Sequence, residues 1–128
     1  MKLLLDTVTF LDAAFAPADI STRATELLLE ADNELFLSIA SCWEIAIKYS
    51  IGRLALPQPP EKFVPTHRAK IGAELLAIDE ESTFHLARLP HVHQDPFDRI
   101  LICQAITHGM VLVTPDDRIA RYPVRTAW

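Results

Sequence analysis

Four acidic side chains follow apolar stretches at positions where a strand or helix begins or ends. Asp6 closes Leu3-Leu4-Leu5, and Glu44 rides on the segment after Leu35-Phe36-Leu37-Ser38. Asp98 lies in Asp95-Pro96-Phe97-Asp98-Arg99, and Asp116 follows Met110-Val111-Leu112-Val113-Thr114. If the strands are parallel, the four carboxylates gather at one end of one sheet. Two carboxylates about 4 Å apart repel by roughly 4 kcal/mol at an effective dielectric near 20. A domain has only about 5–15 kcal/mol of net stability. Three or four such groups must therefore bind a cation, take up protons or pair with Arg or Lys. An all-oxygen donor set suits Mg²⁺ or Mn²⁺ rather than zinc. Such a centre can activate a water and brace a phosphodiester for in-line attack.

Each acid also has a plainer reading. Asp6 fits a turn that caps the next helix. Glu44 stands four residues before Lys48, in the favourable order for a helical ion pair. Asp95, Pro96 and Asp98 fit the opening of a helix, with Asp95 as its cap. Asp98 nevertheless shares a helical face with Leu101, Ile102 and Ala105, which turns it inward, where an unpartnered carboxylate is costly. Asp116 and Asp117 favour a helix N-terminus, and Asp116 is the better placed of the two at a strand end. No single position decides the matter; their convergence does.

The elements that would position them alternate in type. Leu3–Leu5 is a short continuous apolar run, as in a strand covered on both faces. A short helix over 9–15 follows, then a helix capped by Ser21 and running to Glu30, with Leu27 and Leu28 inward. Leu35–Leu37 reads as the second strand. Ala40–Ile51 reads as a helix with Trp43, Ile47 and Ile51 at helical spacing and Gly52 as its stop. Pro57, Pro59 and Pro60 mark a loop before a helix near 61–71. Leu75–Ile78 is expected as a third strand, and Asp79 caps a short helix ending before Pro90. Asp95-Pro96 opens a helix through His108, stopped by Gly109. Met110–Val113 is the last strong strand, followed by a helical turn over Asp116–Tyr122 and an edge strand over Val124–Ala127. Alternation of this kind implies a parallel sheet with helices on both faces. Its ligand crevice opens at the carboxyl ends of the strands.

A chain of 128 residues suits one domain with one core. No apolar run approaches the roughly 18 residues of a membrane span, and Asp6 interrupts any leader-like core after three leucines. A cytoplasmic location without membrane attachment is expected. Cys42 and Cys103 read as buried free thiols rather than a disulfide framework. The net charge of −5 argues against binding nucleic acid by bulk charge. It leaves room for a nucleic-acid enzyme whose acids are neutralised by metal.

The acids and their flanks together resemble the PIN-domain ribonucleases, specifically the VapC-type toxins of bacterial toxin–antitoxin pairs. The matching segments are Lys2-Leu3-Leu4-Leu5-Asp6-Thr7 and Leu37-Ser38-Ile39-Ala40-Ser41-Cys42-Trp43-Glu44-Ile45-Ala46-Ile47-Lys48. They continue with Leu89-Pro90, Asp95-Pro96-Phe97-Asp98-Arg99-Ile100-Leu101-Ile102 and Leu112-Val113-Thr114-Pro115-Asp116, with Arg121-Tyr122 and Trp128 beyond. The resemblance implies a single PIN-like domain over 1–128, an α/β three-layer sandwich with a central parallel sheet flanked by helices. It implies an endoribonuclease dependent on Mg²⁺ (or Mn²⁺); attack by a water activated at the four converging acids is expected to leave a 5′-phosphate and a 3′-hydroxyl. Asp6, Glu44 and Asp98 match the family's core acids and Asp116 its fourth. Asp95 is expected as an outer partner or substrate contact, Thr7 as a residue orienting Asp6 or a water, and Arg99 as a phosphate contact. The implied partners are an RNA substrate, a cognate antitoxin protein and a second copy of the chain in a homodimer. Val8 stands where the family usually has His, and Phe10-Leu11-Asp12 replaces a common Leu-Leu-Trp.

Other features have competing readings. His91-Val92-His93 could suggest a metal pair, but without a third matching ligand it reads as a solvated loop. Lys48, Arg53, Arg68, Lys70, Arg99 and Arg118 could line an RNA path or form a solvated face. Trp43 is expected in the core or a subunit interface rather than as a base-stacking platform. A phospho-accepting signalling domain would want two adjacent acids after the first strand and a Lys after the last strong one; Thr7 and Pro115-Asp116 do not supply them. The remaining alternative is a catalytically quiet PIN-like domain that binds a partner protein through its acidic pocket.

Overall fold

A computed structural model describes residues 1–128. Five strands form one sheet, β1 (Lys2–Leu5), β2 (Glu34–Ser38), β3 (Ala73–Leu76), β4 (Val111–Val113) and β5 (Thr126–Ala127). Every neighbouring pair is parallel, in the order β3-β2-β1-β4-β5. Six helices connect and cover them: α1 (Thr7–Phe15), α2 (Thr22–Leu29), α3 (Ile39–Ser50), α4 (Pro60–Ile71), α5 (Glu80–His85) and α6 (Pro96–His108).

The central strand is the most apolar one. Leu3, Leu4 and Leu5 are all fully buried, and each buried leucine contributes about 1.5–3 kcal/mol. Alternation along the strands divides the core between the two faces of the sheet. Leu3, Leu5, Leu35, Leu37 and Val113 pack with Phe10 of α1, Ala24 of α2, Ile45 of α3 and Phe63 of α4. Leu4, Phe36 and Leu112 pack with Leu101, Ile102 and Ala105 of α6. The result is a three-layer α/β sandwich.

The helix starts are set by short polar caps. Asp6 caps α1, Ser21 caps α2, Ser38 caps α3, Asp79 caps α5 and Asp95 caps α6, each accepting a backbone N–H of the first turn. Gly72 and Gly109 end α4 and α6 at φ of +71° and +65°, in the left-handed region that favours glycine.

Several expectations shift. β3 begins two residues earlier than expected, because Gly72 turns the chain directly from α4 into the strand. The helical turn after β4 is confined to a 3₁₀ turn at Ile119–Arg121, and the edge strand to Thr126–Ala127. The buried face of α3 is not the one marked by Trp43, Ile47 and Ile51. Ala40, Ser41, Glu44 and Ile45 face inward, while Trp43 and Ile51 are 60% and 59% exposed. Trp43 is therefore not a core residue; it meets Phe97 edge-on with ring centroids 5.2 Å apart. Cys103 is buried as expected, whereas Cys42 is only partly so. No helix is long and apolar enough to cross a membrane.

Candidate metal centre

The chain runs from β1 to β2 and β3 on one side of the sheet, then returns to place β4 on the other side of β1. The crevice of such a sheet opens where the order reverses, beyond the carboxyl ends of β1 and β4. Asp6 is the residue after β1, and Thr114 and Asp116 follow β4. Glu44 enters from α3 and Asp98 from the first turn of α6. All four acids line one cleft of about 240 Å³, together with Thr7, Lys48 and Asp95. Two larger grooves, of about 460 and 290 Å³, run along α1 and contain no carboxylate.

Asp6 is 3% exposed and is held at both oxygens. Oδ1 accepts the Thr9 N–H at 2.7 Å, and Oδ2 accepts the Thr114 hydroxyl. Burial pushes its pKa up against these bonds, and the charge of Asp116 adds to the rise. Thr7 does not orient Asp6. Its hydroxyl donates to Ser41 Oγ at 2.9 Å, tying α1 to α3, and the orienting role falls to Thr114.

Glu44 is 4% exposed and only half satisfied. Oε2 accepts from Lys48 Nζ at 2.6 Å, so the helical ion pair forms. Oε1 is buried with no hydrogen-bond partner. A buried, unpartnered carboxylate oxygen is costly unless a cation supplies what is missing.

The Asp98 carboxyl is pushed up to about 6, mainly by burial. A hydrogen bond from His93 opposes this, and the neighbouring charges of Asp95, Glu44 and Asp6 reinforce it. Asp116 has the opposite environment. Arg118 donates to both of its oxygens, Nε to Oδ1 at 3.2 Å and NH2 to Oδ2 at 3.0 Å, and holds its pKa down. Asp95 accepts the Phe97 N–H at 2.9 Å as the helix cap while lining the cleft.

Arg99 is not placed to contact phosphate. It is 9% exposed and outside the cleft. Its guanidinium donates to the carbonyls of Leu86, Pro90 and His93 and to Tyr122 Oη, fastening the 86–93 segment to α6. The cations beside the acids are Lys48 and Arg118.

His93 is not part of a solvated loop. Its side chain is 10% exposed, and Nε2 lies 2.8 Å from Asp98 Oδ2. Tyr122 fixes its backbone, accepting the His93 N–H at 2.8 Å and donating to the His93 carbonyl at 3.1 Å. The only sequence signal was its place two residues before the helix cap Asp95. Thr114 was equally unmarked, except as the polar residue ending a buried run.

Four acids, hard oxygen donors throughout, converge on a cleft where one oxygen lacks a partner and two carboxyl groups resist ionisation. This donor set fits a divalent cation. Fold and site together define a small parallel α/β domain with a carboxylate cleft at its topological switch point. Residues 3–125 match the PIN domain model, and the chain belongs to the PIN-domain family.

One relative is ribonuclease VapC16 of Mycobacterium tuberculosis, 35% identical over 68 residues. That match takes in 53% of this chain and 48% of the relative, so it spans about half of the relative's length. Among solved structures, VapBC2 of Rickettsia felis, bound to a DNA fragment from its promoter, superposes with a TM-score of 0.77 at 17% identity. It covers 99% of this chain and 98% of its own. DNA-bound VapBC of Salmonella typhimurium gives 0.67 at 20% identity, with 99% and 97% covered. VapBC-1 of nontypeable Haemophilus influenzae gives 0.66 at 19%, also with 99% and 97% covered. At these identities the structures establish the shared fold.

Proposed function

We propose that this protein is a divalent-metal-dependent endoribonuclease, the toxin of a toxin–antitoxin pair. The observation that carries the reading is the unpartnered, buried Glu44 Oε1 in a cleft shared with Asp6, Asp98 and Asp116. Membership of the PIN family and likeness to a protein named as a ribonuclease support it. Mg²⁺ or Mn²⁺ is the cofactor the oxygen donors favour. When bound, such a cation polarises a water and neutralises charge on the scissile phosphate.

The chain's own residues do the rest. Asp6, Glu44 and Asp98 would hold the ion, with Asp116 lining the same cleft. Thr114 and the Thr9 amide fix the Asp6 carboxylate, which limits its reorganisation during reaction. The exposed Lys48 and Arg118 pair with Glu44 and Asp116 and would be free to meet a phosphate if a cation held those carboxylates. Asp95 lines the same cleft and is the proposed outer partner or substrate contact.

A cognate antitoxin and a homodimer are further parts of the proposal. The apolar groove between α1 and α2 suits a partner's apolar segment. Exposed Trp43, Phe84 and Ile51 are apolar surface of the kind that subunit contacts cover.

The test is RNA cleavage by purified protein with Mg²⁺ and with EDTA. Cleavage with Mg²⁺ alone, leaving 5′-phosphate and 3′-hydroxyl ends, is the expected result. Products ending in a 2′,3′-cyclic phosphate would exclude the mechanism. Protein that binds metal without cleaving any RNA would favour the reading of a catalytically quiet domain that docks a partner through its acids.

A further inference from the structure

His93, Asp98 and Asp116 each present one ligand atom, and these atoms all lie within 4.8 Å of one another. The His93 Nε2 to Asp98 Oδ2 distance is 2.8 Å. A cation with bonds of about 2.1 Å places adjacent ligands about 3 Å apart and opposite ligands about 4.2 Å apart. The three atoms therefore need only a small closing movement to share one ion. Asp116 can supply it, because Arg118 alone holds its carboxylate, through the backbone N–H to Oδ1 at 2.8 Å and the exposed guanidinium, and Oδ2 is held by the guanidinium only.

The His93 ring does not arrive by chance. Tyr122 brackets its backbone N–H and carbonyl, and buried Arg99 also donates to that carbonyl, at 3.3 Å. The backbone that carries the ring is thus held at both its N–H and its carbonyl. Independent evidence that the cleft expects a ligand is the buried Glu44 Oε1, which no protein group satisfies.

We propose that His93, Asp98 and Asp116 form a second cation position of mixed nitrogen and oxygen donors. It lies beside the all-oxygen position of Asp6, Glu44 and Asp98, with Asp98 shared. An imidazole nitrogen favours first-row transition ions over Mg²⁺, so this position selects Mn²⁺ or a similar ion. Nε2, which lies 2.8 Å from Asp98 Oδ2, is the atom that would face the ion, with the ring proton then on Nδ1. The inference rests on the proposed metal-dependent nuclease site, and it assigns that site two unlike positions.

The experiment is pulsed electron paramagnetic resonance on the full chain loaded with Mn²⁺, read for ¹⁴N modulation from a coordinated imidazole. Wild type should show the modulation, His93→Gln should lose it, and His91→Gln should keep it. In calorimetry His93→Gln should weaken Mn²⁺ binding about tenfold or more while Mg²⁺ binding changes less than about threefold. Circular dichroism checks that the variants fold. The wild-type spectrum decides alone if they do not.

Mn²⁺ bound without ¹⁴N modulation overturns the mixed position and leaves the nuclease reading standing, with His93 as a hydrogen-bond partner of Asp98. Equal losses for both metals in His93→Gln overturn the claimed selectivity. No binding of either ion by wild type overturns both readings.

Discussion

Asp98 works against folding when no metal is present. Its folded pKa of about 6 lies above the ordinary 3.8, so the native state favours the protonated form. The stabilisation linked to that proton is complete below about pH 4 and is lost as pH rises to about 6. A gap of about two units is worth on the order of 3 kcal/mol. Asp98→Asn keeps the shape and removes the charge. In EDTA at pH 7 the variant should be more stable to urea than the parent by about 1–3 kcal/mol. The advantage should vanish near pH 3.5, and RNA cleavage should be abolished. A parent more stable than the variant at pH 7 would refute the claim that burial strains this carboxylate. Glu44→Gln makes a complementary case. It removes the unpartnered oxygen's charge and frees Lys48, so Mg²⁺ affinity by calorimetry should fall about tenfold or more with the fold intact. An unchanged affinity would place the ion elsewhere.

At the scale of elements, α6 carries both the chemistry and its frame. Its first turn offers Asp98 to the cleft, and the next residue, Arg99, fastens the 86–93 segment through three carbonyls and Tyr122 Oη. Arg99→Ala should cost about 2–4 kcal/mol in urea unfolding, because buried acceptors lose a charged donor. A phosphate-contacting arginine on the surface would instead change stability by less than about 0.5 kcal/mol and weaken RNA binding. The contrast shows what sequence could and could not reveal. The order of elements and the convergence of the four acids were legible, because continuous apolar runs and polar caps are local signals. The rotation of α3 was not. Trp43, Ile47 and Ile51 make the conspicuous apolar spacing, yet the sheet receives Ala40, Ser41, Glu44 and Ile45. A helix that must aim a carboxylate at a cleft turns small and polar residues inward and leaves large apolar ones exposed. His93, Thr114 and Arg99 act through tertiary contacts with residues from 5 to 108 positions away. No periodicity records such contacts.

For the whole molecule, metal and proton compete for one cleft. The net charge of −5 and the acids beyond the carboxyl ends of β1 and β4 oppose the approach of a polyanion when no cation is bound. Metal requires deprotonated ligands, so its binding should weaken about tenfold for each pH unit below the Asp98 value of about 6. At pH 7.5, with Mg²⁺ at about 100 times its dissociation constant, linkage adds about 2.7 kcal/mol, a rise in Tm of roughly 10 °C for a domain of this size. At pH 4.5 the same Mg²⁺ should add less than about 1 kcal/mol, because the affinity has dropped about thirtyfold. The metal-free protein runs the other way with respect to this group, losing stability as pH rises from about 4 to 6. The two forms should therefore diverge with increasing pH. Thermal melts with Mg²⁺ and with EDTA across that range measure the divergence directly. In Asp98→Asn the Mg²⁺-dependent shift should be small at every pH. An equal Mg²⁺ shift at pH 4.5 and 7.5 in the parent would mean that the ion does not bind at these carboxylates.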